Sequence, residues 1–180
     1  MFLKEKELNW IVNGTAFLGS GGGGAKTTGT AFAQLIMQLT DGKRVELATS
    51  EHFGAISAIE SDQYDAIFKA IDQAAQWLKA NEHDPVSLIF PIETCPENTL
   101  APMVAAAKYG IPVFYGDGGG RAVPALQLSA FANSSNPFCP AFVTNDKGDF
   151  MHVNTGTPEM LDELLRPVTG TPQFGNSVSL

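Results

Sequence analysis

The sequence predicts an α/β fold, a three-layer α/β/α sandwich with a mainly parallel sheet and a C-terminal β-hairpin. Three observations lead there. Val86-Ser87-Leu88-Ile89-Phe90 and Val113-Phe114-Tyr115 are runs of strand length without polar alternation, as expected of parallel strands buried on both faces. Between them, Leu100, Met103, Val104 and Ala107 recur at helical spacing from Thr99 to Tyr109. Residues 84–116 therefore have the size of a right-handed βαβ unit. Further on, Phe142-Val143-Thr144 and Phe150-Met151-His152-Val153 flank Asn145–Asp149, which reads as a hairpin with a loop of about five residues.

The remaining elements follow in order. Residues 4–18 place Leu8, Ile11, Val12, Phe17 and Leu18 in a helical pattern, weakened by Gly14. The glycine run 19–24 ends it. Phe32, Leu35, Ile36 and Leu39 share one face of a helix over 28–39, and Asp41-Gly42 is a turn. Val45–Thr49 reads as a short strand. Residues 62–80 are the clearest helix, with Asp62 as N-cap, Ile67, Phe68, Ile71, Ala74, Ala75 and Leu78 on one face, and Asp65 and Lys69 as an i, i+4 pair. Gly110 is expected just past the end of the next helix, with Pro112 following. Residues 126–132 alternate weakly and suggest a strand, and Pro158–Leu165 a short helix. One α/β domain over 1–166 is expected, and 167–180, rich in Pro, Gly, Thr and Ser, reads as a linker-like tail.

Composition narrows the function classes. The 180 residues are 44% hydrophobic and carry a formal net charge of −8. With only 11 Lys and Arg and no basic run, neither nucleic acid nor an anionic membrane surface is expected as a partner. No apolar stretch is long enough to span a bilayer. The charged start Met1-Phe2-Leu3-Lys4-Glu5-Lys6-Glu7 does not read as a signal peptide, so the cytoplasm is the expected location. Cys95 and Cys139 are too few for a disulfide framework and read as two unbridged thiols of a reducing compartment.

The chemistry concentrates in two glycine-rich stretches. Asp117-Gly118-Gly119-Gly120-Arg121 directly follows the Val113–Tyr115 strand. Glycine permits φ > 0 and close approach of a ligand, and Arg121 offers a planar fork of donors. Gly118, Gly119 and Gly120 are thus candidate substrate contacts. The earlier run, Gly19-Ser20-Gly21-Gly22-Gly23-Gly24, fails the P-loop spacing because Ala25 separates Gly24 from Lys26. A nest of amides from Gly21, Gly22 and Gly23, at the start of the next helix, suits an anion or a carbonyl instead. In a parallel sheet, ligands collect beyond the carboxyl ends of the strands. Glu93 lies past one strand and Asp117 past the next, so both carboxylates and Arg121 are expected at one edge, as a catalytic acid/base set. Each carboxylate could instead cap its own turn or helix. His52, in Glu51-His52-Phe53-Gly54, could face the same edge. The three histidines show no zinc spacing, no Gly-x-Ser-x-Gly elbow occurs, and the residues name no metal and no cofactor.

Leu18–Gly24, then Glu93 with Asn98 and Pro102, then Gly-Ile-Pro-Val-Phe-Tyr-Gly-Asp-Gly-Gly-Gly-Arg-Ala-Val-Pro-Ala-Leu-Gln (110–127) together resemble the N-terminal domain of S-methyl-thiohydantoin desulfurase-like proteins, a family associated with hydantoinase/oxoprolinase systems. The resemblance covers most of residues 8–165. It implies a three-layer α/β domain followed in the family by a mainly β domain, which is not expected within these 180 residues. It also implies hydrolase-like attack on a small cyclic amide, hydantoin or S-methyl-thiohydantoin, in which water replaces methanethiol. Asp117, Gly120, Arg121 and Pro124, with Glu93 and Asn98, match the signature, and Asn98 is thereby a substrate-binding candidate. Ala25, Tyr115 and Ala125 stand where acidic residues are usual, and Cys95-Pro96 stands in place of two glycines. Those departures leave a second expectation open, a non-catalytic binding or assembly subunit. A homo-oligomer, or a separate β-domain partner subunit, would cover the apolar surface such a domain exposes.

Overall fold

The structure, a computed structural model, describes residues 1–42, 45–48, 64–133, 138–174 and 178–179. Asp62 and the Glu51–Gly54 segment with His52 lie outside the described residues. The elements run β1 (Phe2–Leu3), α1 (Glu5–Leu18), α2 (Lys26–Leu39), β2 (Val45–Ala48), α3 (Tyr64–Ala80), α4 (Pro96–Tyr109), β3 (Val113–Phe114), β4 (Ala141–Asn145), β5 (Phe150–Val153), α5 (Pro158–Thr169) and β6 (Val178–Ser179). The chain is of mixed α/β class.

The sheet expected to be mainly parallel is instead mixed. Among the described residues there are two three-stranded sheets, ordered β1-β2-β3 and β5-β4-β6. In the first, β1 is antiparallel to β2 and β2 is parallel to β3. In the second, β4 is antiparallel to both neighbours. Residues 86–90 form no continuous strand. They pair with β3 at one parallel bridge among the described residues, Ile89 to Val113, held by Ile89 N–H to the Pro112 carbonyl (3.1 Å) and Phe114 N–H to the Ile89 carbonyl (2.7 Å). Proline explains the shortfall: Pro91 and Pro112 have no N–H to lend the ladder on either side of that bridge. The segment is still parallel to β3 and adjacent to it, so both chain segments leave the sheet in the same direction.

The first sheet and α1–α4 enclose one apolar core. Leu8 and Val12 of α1, Phe32 and Ile36 of α2, Ile67 and Ile71 of α3, Leu100 and Val104 of α4, and Val45, Leu47 and Val113 of the sheet meet there. Each such side chain contributes about 1.5–3 kcal/mol on full burial. The run of α1 holds its core face at positions 8, 12 and 15, one stripe of a 3.6-residue period. Phe17 falls off that stripe and is 82% exposed. Helix α4 is buried on nearly every side, from Pro96 to Ala106, rather than on one face. Its alanines permit that, and Gly29 of α2 lets the two helices close: a Cβ there would lie 3.1 Å from the Pro96 carbonyl oxygen. Gly110 ends α4 at φ 68°, a left-handed position that suits glycine.

A second, smaller core joins Ala141 and Val143 of β4 to Leu161 and Leu165 of α5. Residues 126–132, expected as a strand, instead make two 3₁₀ turns, Leu126–Leu128 and Ala130–Asn133. The tail is structured in part: α5 continues to Thr169, and Val178 and Ser179 pair with Asn145 and Thr144. Thr144 Oγ1 donates to the Ala66 carbonyl at 2.8 Å, tying the second sheet to α3. Lys69 donates to the Asp146 carbonyl at 3.0 Å, an alternative to the expected pairing with Asp65.

Candidate functional site

Three stretches distant in sequence meet at the N-terminal end of α4. The first is the glycine loop between α1 and α2. The second is Glu93–Asn98, where the chain leaves Ile89–Phe90 and enters α4. The third is the 117–123 segment, which leaves β3. Backbone bonds align the last two: Thr94 N–H donates to the Arg121 carbonyl at 3.3 Å, and Gly118 packs against the Ile92 carbonyl and Ser129.

Glu93 sits at the centre and is 5% exposed. Its Oε1 accepts from Asn98 Nδ2 at 2.6 Å and from the Cys95 thiol at 3.1 Å, and its Oε2 accepts from the Val123 N–H. A buried carboxylate is stable only with such donors. Glu93 thus fastens the start of α4 to the third segment. It does not cap the α4 amides. Thr99 completes the turn, its Oγ1 accepting from Cys95 N–H at 3.1 Å and donating to the Glu93 carbonyl at 3.2 Å. Asn98 is 2% exposed, and its Oδ1 is buried without a hydrogen-bond partner among the described residues.

The glycine loop lies across this group, and two of its members have no room for a side chain. A Cβ on Gly23 would stand 2.0 Å from Cys95 Sγ and 3.0 Å from Glu93 Oε1, and one on Gly24 would stand 1.8 Å from Glu97 Cδ. Gly22 approaches Ala122 in the third segment. The loop is latched at both ends of one residue: Glu97 N–H donates to the Gly23 carbonyl, and Ala25 N–H donates to Glu97 Oε1, each at 3.1 Å. The anion expected at the start of α2 is therefore supplied by the chain itself, as the Glu97 carboxylate at the amide that opens the helix.

Asp117 is organised differently. Its Oδ1 accepts from Gly119 N–H at 2.7 Å and Gly120 N–H at 2.5 Å, while its Oδ2 has no hydrogen bond among the described residues. The side chain is half-buried. Arg121 is exposed, and its side chain makes no ion pair among the described residues.

Of the residues singled out from the sequence, Glu93, Asn98 and Gly23 are thus in direct contact, and Gly22 reaches the Arg121-bearing segment. Gly118 is buried against Ser129 and Phe131. Gly119 and Gly120 serve the Asp117 turn. Gly21 is exposed, with nothing within 4 Å of its Cβ position. Sequence reading missed Glu97, Cys95, Thr99 and Val123 as members of the group. The one available signal for Glu97 was an acidic residue in the first turn of a helix; its partner Ala25 is 72 residues away. Among the described residues, no three His, Cys, Asp or Glu side chains cluster as metal ligands would. No helix among them is long and apolar enough to cross a membrane.

Fold and site together define a small α/β domain in which a glycine-rich loop closes over a buried carboxylate at a helix N-terminus. The chain belongs to the S-Me-THD-like family as its N-terminal domain, whose family model matches residues 6–155. A crystal structure of a protein from Chromobacterium violaceum has a similar fold, with a TM-score of 0.85 and 22% identity, covering 99% of this chain and 54% of that one. This chain spans about half the length of that relative. No curated protein matches the chain.

Proposed function

We propose that this domain is hydrolase-like and acts on a small five-membered cyclic amide, a hydantoin or S-methyl-thiohydantoin, with Asp117 activating water. The observation that carries the reading is the asymmetry of that carboxylate: one oxygen bound by two amides of its own turn, the other unbonded among the described residues. A carboxylate fixed through one oxygen presents the other in a set direction, as a general base requires. The family supports the substrate class. In an S-methyl-thiohydantoin, water oxygen bonds to the ring carbon as its proton passes to Asp117. The carbon–sulfur bond then breaks, and methanethiolate leaves with that proton as methanethiol. The Arg121 guanidinium and the exposed loop amides are suited to the negative charge that develops. A cytoplasmic setting belongs to this reading, supported by a sequence with only two cysteines.

Asp117→Asn tests this directly. An asparagine Oδ1 can still accept from Gly119 and Gly120, so the turn is kept and only the base is lost. Release of methanethiol should fall by about 10²–10⁴-fold with an unchanged melting temperature. Wild-type turnover in that variant would remove the mechanism.

A second reading has its own support. Glu93 has both oxygens engaged and Glu97 fills the amide at the start of α2, so two carboxylates here act as fasteners. The domain would then bind a cyclic amide without turning it over, as a subunit of a hydantoinase/oxoprolinase-type assembly, paired with a second copy or a β-domain partner. Stabilisation by hydantoin in a thermal-shift assay, with no product formed, is the outcome that reading requires.

A further inference from the structure

Cys95 has no part in the mechanism above, yet its surroundings are those of a nucleophile. It is the N-cap residue of the 14-residue helix α4. Its sulfur lies 3.1 Å from Glu93 Oε1, a carboxylate that can take the thiol proton. Gly23 packs directly on the sulfur, where a Cβ would lie 2.0 Å from it, so the loop covers the thiol. An independent observation points to a ligand at the same place. Asn98, bonded through Nδ2 to the very oxygen that Cys95 meets, holds its Oδ1 buried and without a donor among the described residues, and the residue is 2% exposed. A buried acceptor left unpaired costs about 1–3 kcal/mol, which a ligand N–H would relieve.

We propose that Cys95 is a covalent nucleophile toward the cyclic substrate, with Glu93 as its base and Asn98 Oδ1 accepting a ring N–H. The inference rests on the substrate class proposed above and turns a single displacement into two. In the first, the thiol proton passes to Glu93, sulfur bonds to the ring carbon bearing the methylthio group, and the carbon–SCH₃ bond breaks. Methanethiolate takes the proton from Glu93 and leaves as methanethiol. In the second, the water activated by Asp117 adds to the same carbon and the bond to Cys95 breaks. The thiolate regains a proton through Asp117, and the ring relaxes to the hydantoin. Water enters, methanethiol leaves, and no oxidant or reductant is consumed.

Cys95 is buried under the loop, so the loop must lift for substrate to enter. Its backbone is suited to this: Ser20, Gly21, Gly23 and Gly24 all have positive φ, and the latch consists of the two bonds at Glu97.

The test uses the full chain and Cys95→Ser, which keeps a hydroxyl donor for Glu93 while being a far weaker nucleophile. With S-methyl-thiohydantoin as probe, Cys95→Ser should retain the wild-type melting temperature and lose at least about 100-fold in methanethiol release, and Cys139→Ser should match wild type. Acid quench of the wild type should trap the ring on the Cys95 peptide, seen by mass spectrometry. Hydantoin should slow iodoacetamide labelling of Cys95 about tenfold and leave Cys139 unchanged. Wild-type turnover by Cys95→Ser, or labelling of Cys95 that hydantoin does not slow, overturns the proposal. If Cys95→Ser keeps full turnover while Asp117→Asn loses it, only the covalent step fails. A wild-type chain that releases no methanethiol removes the hydrolase reading and this step with it.

Discussion

Replacing Gly23 by alanine probes the seat of the glycine loop more sharply than any other change. Gly23 has φ +63°, and a methyl group there would fall 2.0 Å from Cys95 Sγ and 2.4 Å from Cys95 Cβ. A left-handed backbone costs a non-glycine residue about 1–2 kcal/mol. The methyl group cannot be accommodated by rotating a flexible tail, because Cys95 is fully buried at the start of α4. The loop must lift, which strains packing by about 1–3 kcal/mol. Lifting also breaks the bond from Glu97 N–H to the Gly23 carbonyl, a loss of about 0.5–1.5 kcal/mol. Together these give a destabilisation of about 2.5–6.5 kcal/mol for Gly23→Ala. Equilibrium urea unfolding reads it. Two other glycines calibrate the series. Gly14 has nothing within 4 Å of its Cβ position and sits inside α1, so Gly14→Ala should stabilise by about 0.5–1 kcal/mol. Gly21 is equally open but has φ +90°, so Gly21→Ala should cost about 1 kcal/mol through the backbone alone. A Gly23→Ala protein within about 1 kcal/mol of wild type would refute a loop seated on Cys95.

Two further outcomes follow from the same contacts. Glu97→Ala removes the acceptor of Ala25 N–H and should cost about 1–2 kcal/mol; hydrogen exchange at residues 20–25 should quicken, and unchanged exchange would contradict the latch. Tyr109 provides the pH test. Burial first, then its hydrogen bond to Asp72 (2.8 Å) and that carboxylate's charge, hold the phenol well above its usual range. Its contribution to stability is thus complete below the unfolded value near 10 and is lost progressively as pH rises above it. Tyr109→Phe should flatten that alkaline decline in thermal melts taken from pH 9 upward; an identical decline in both proteins would exclude Tyr109 as its source.

Local periodicity made much of the fold legible. The apolar spacing at Phe32 and Ile36, the Leu100–Val104 pair and the Gly110 stop each matched a helix that exists. The hairpin was legible from two β-rich runs around Asn145–Asp149. The Val86–Phe90 run misled because composition marks it as a strand while the prolines beside it deny the ladder its donors. Residues 126–132 misled because weak alternation over few residues is also met by successive 3₁₀ turns.

Of the candidate site, chain order makes only the members legible, not their contacts. Strand ends and glycine runs pointed to Glu93, Asp117 and the loop. What they could not convey is who partners whom. Glu93 meets Val123, 30 residues on, and Glu97 meets Ala25, 72 residues back. Such pairings are set by how α2 packs on α4, not by any local pattern. Cys95 read only as an unbridged thiol, yet Pro96 opens α4 and so makes Cys95 its N-cap.

The most direct measurement is an amide NMR titration of the full chain with hydantoin, a probe that serves whether the domain turns over its ligand or only holds it. Shifts should concentrate at Gly21–Gly24, at Gly118–Gly120 and at the Asn98 side-chain amide. Shifts confined to β4, β5 and α5, or none at millimolar hydantoin, would contradict a cyclic-amide site at the N-terminal end of α4.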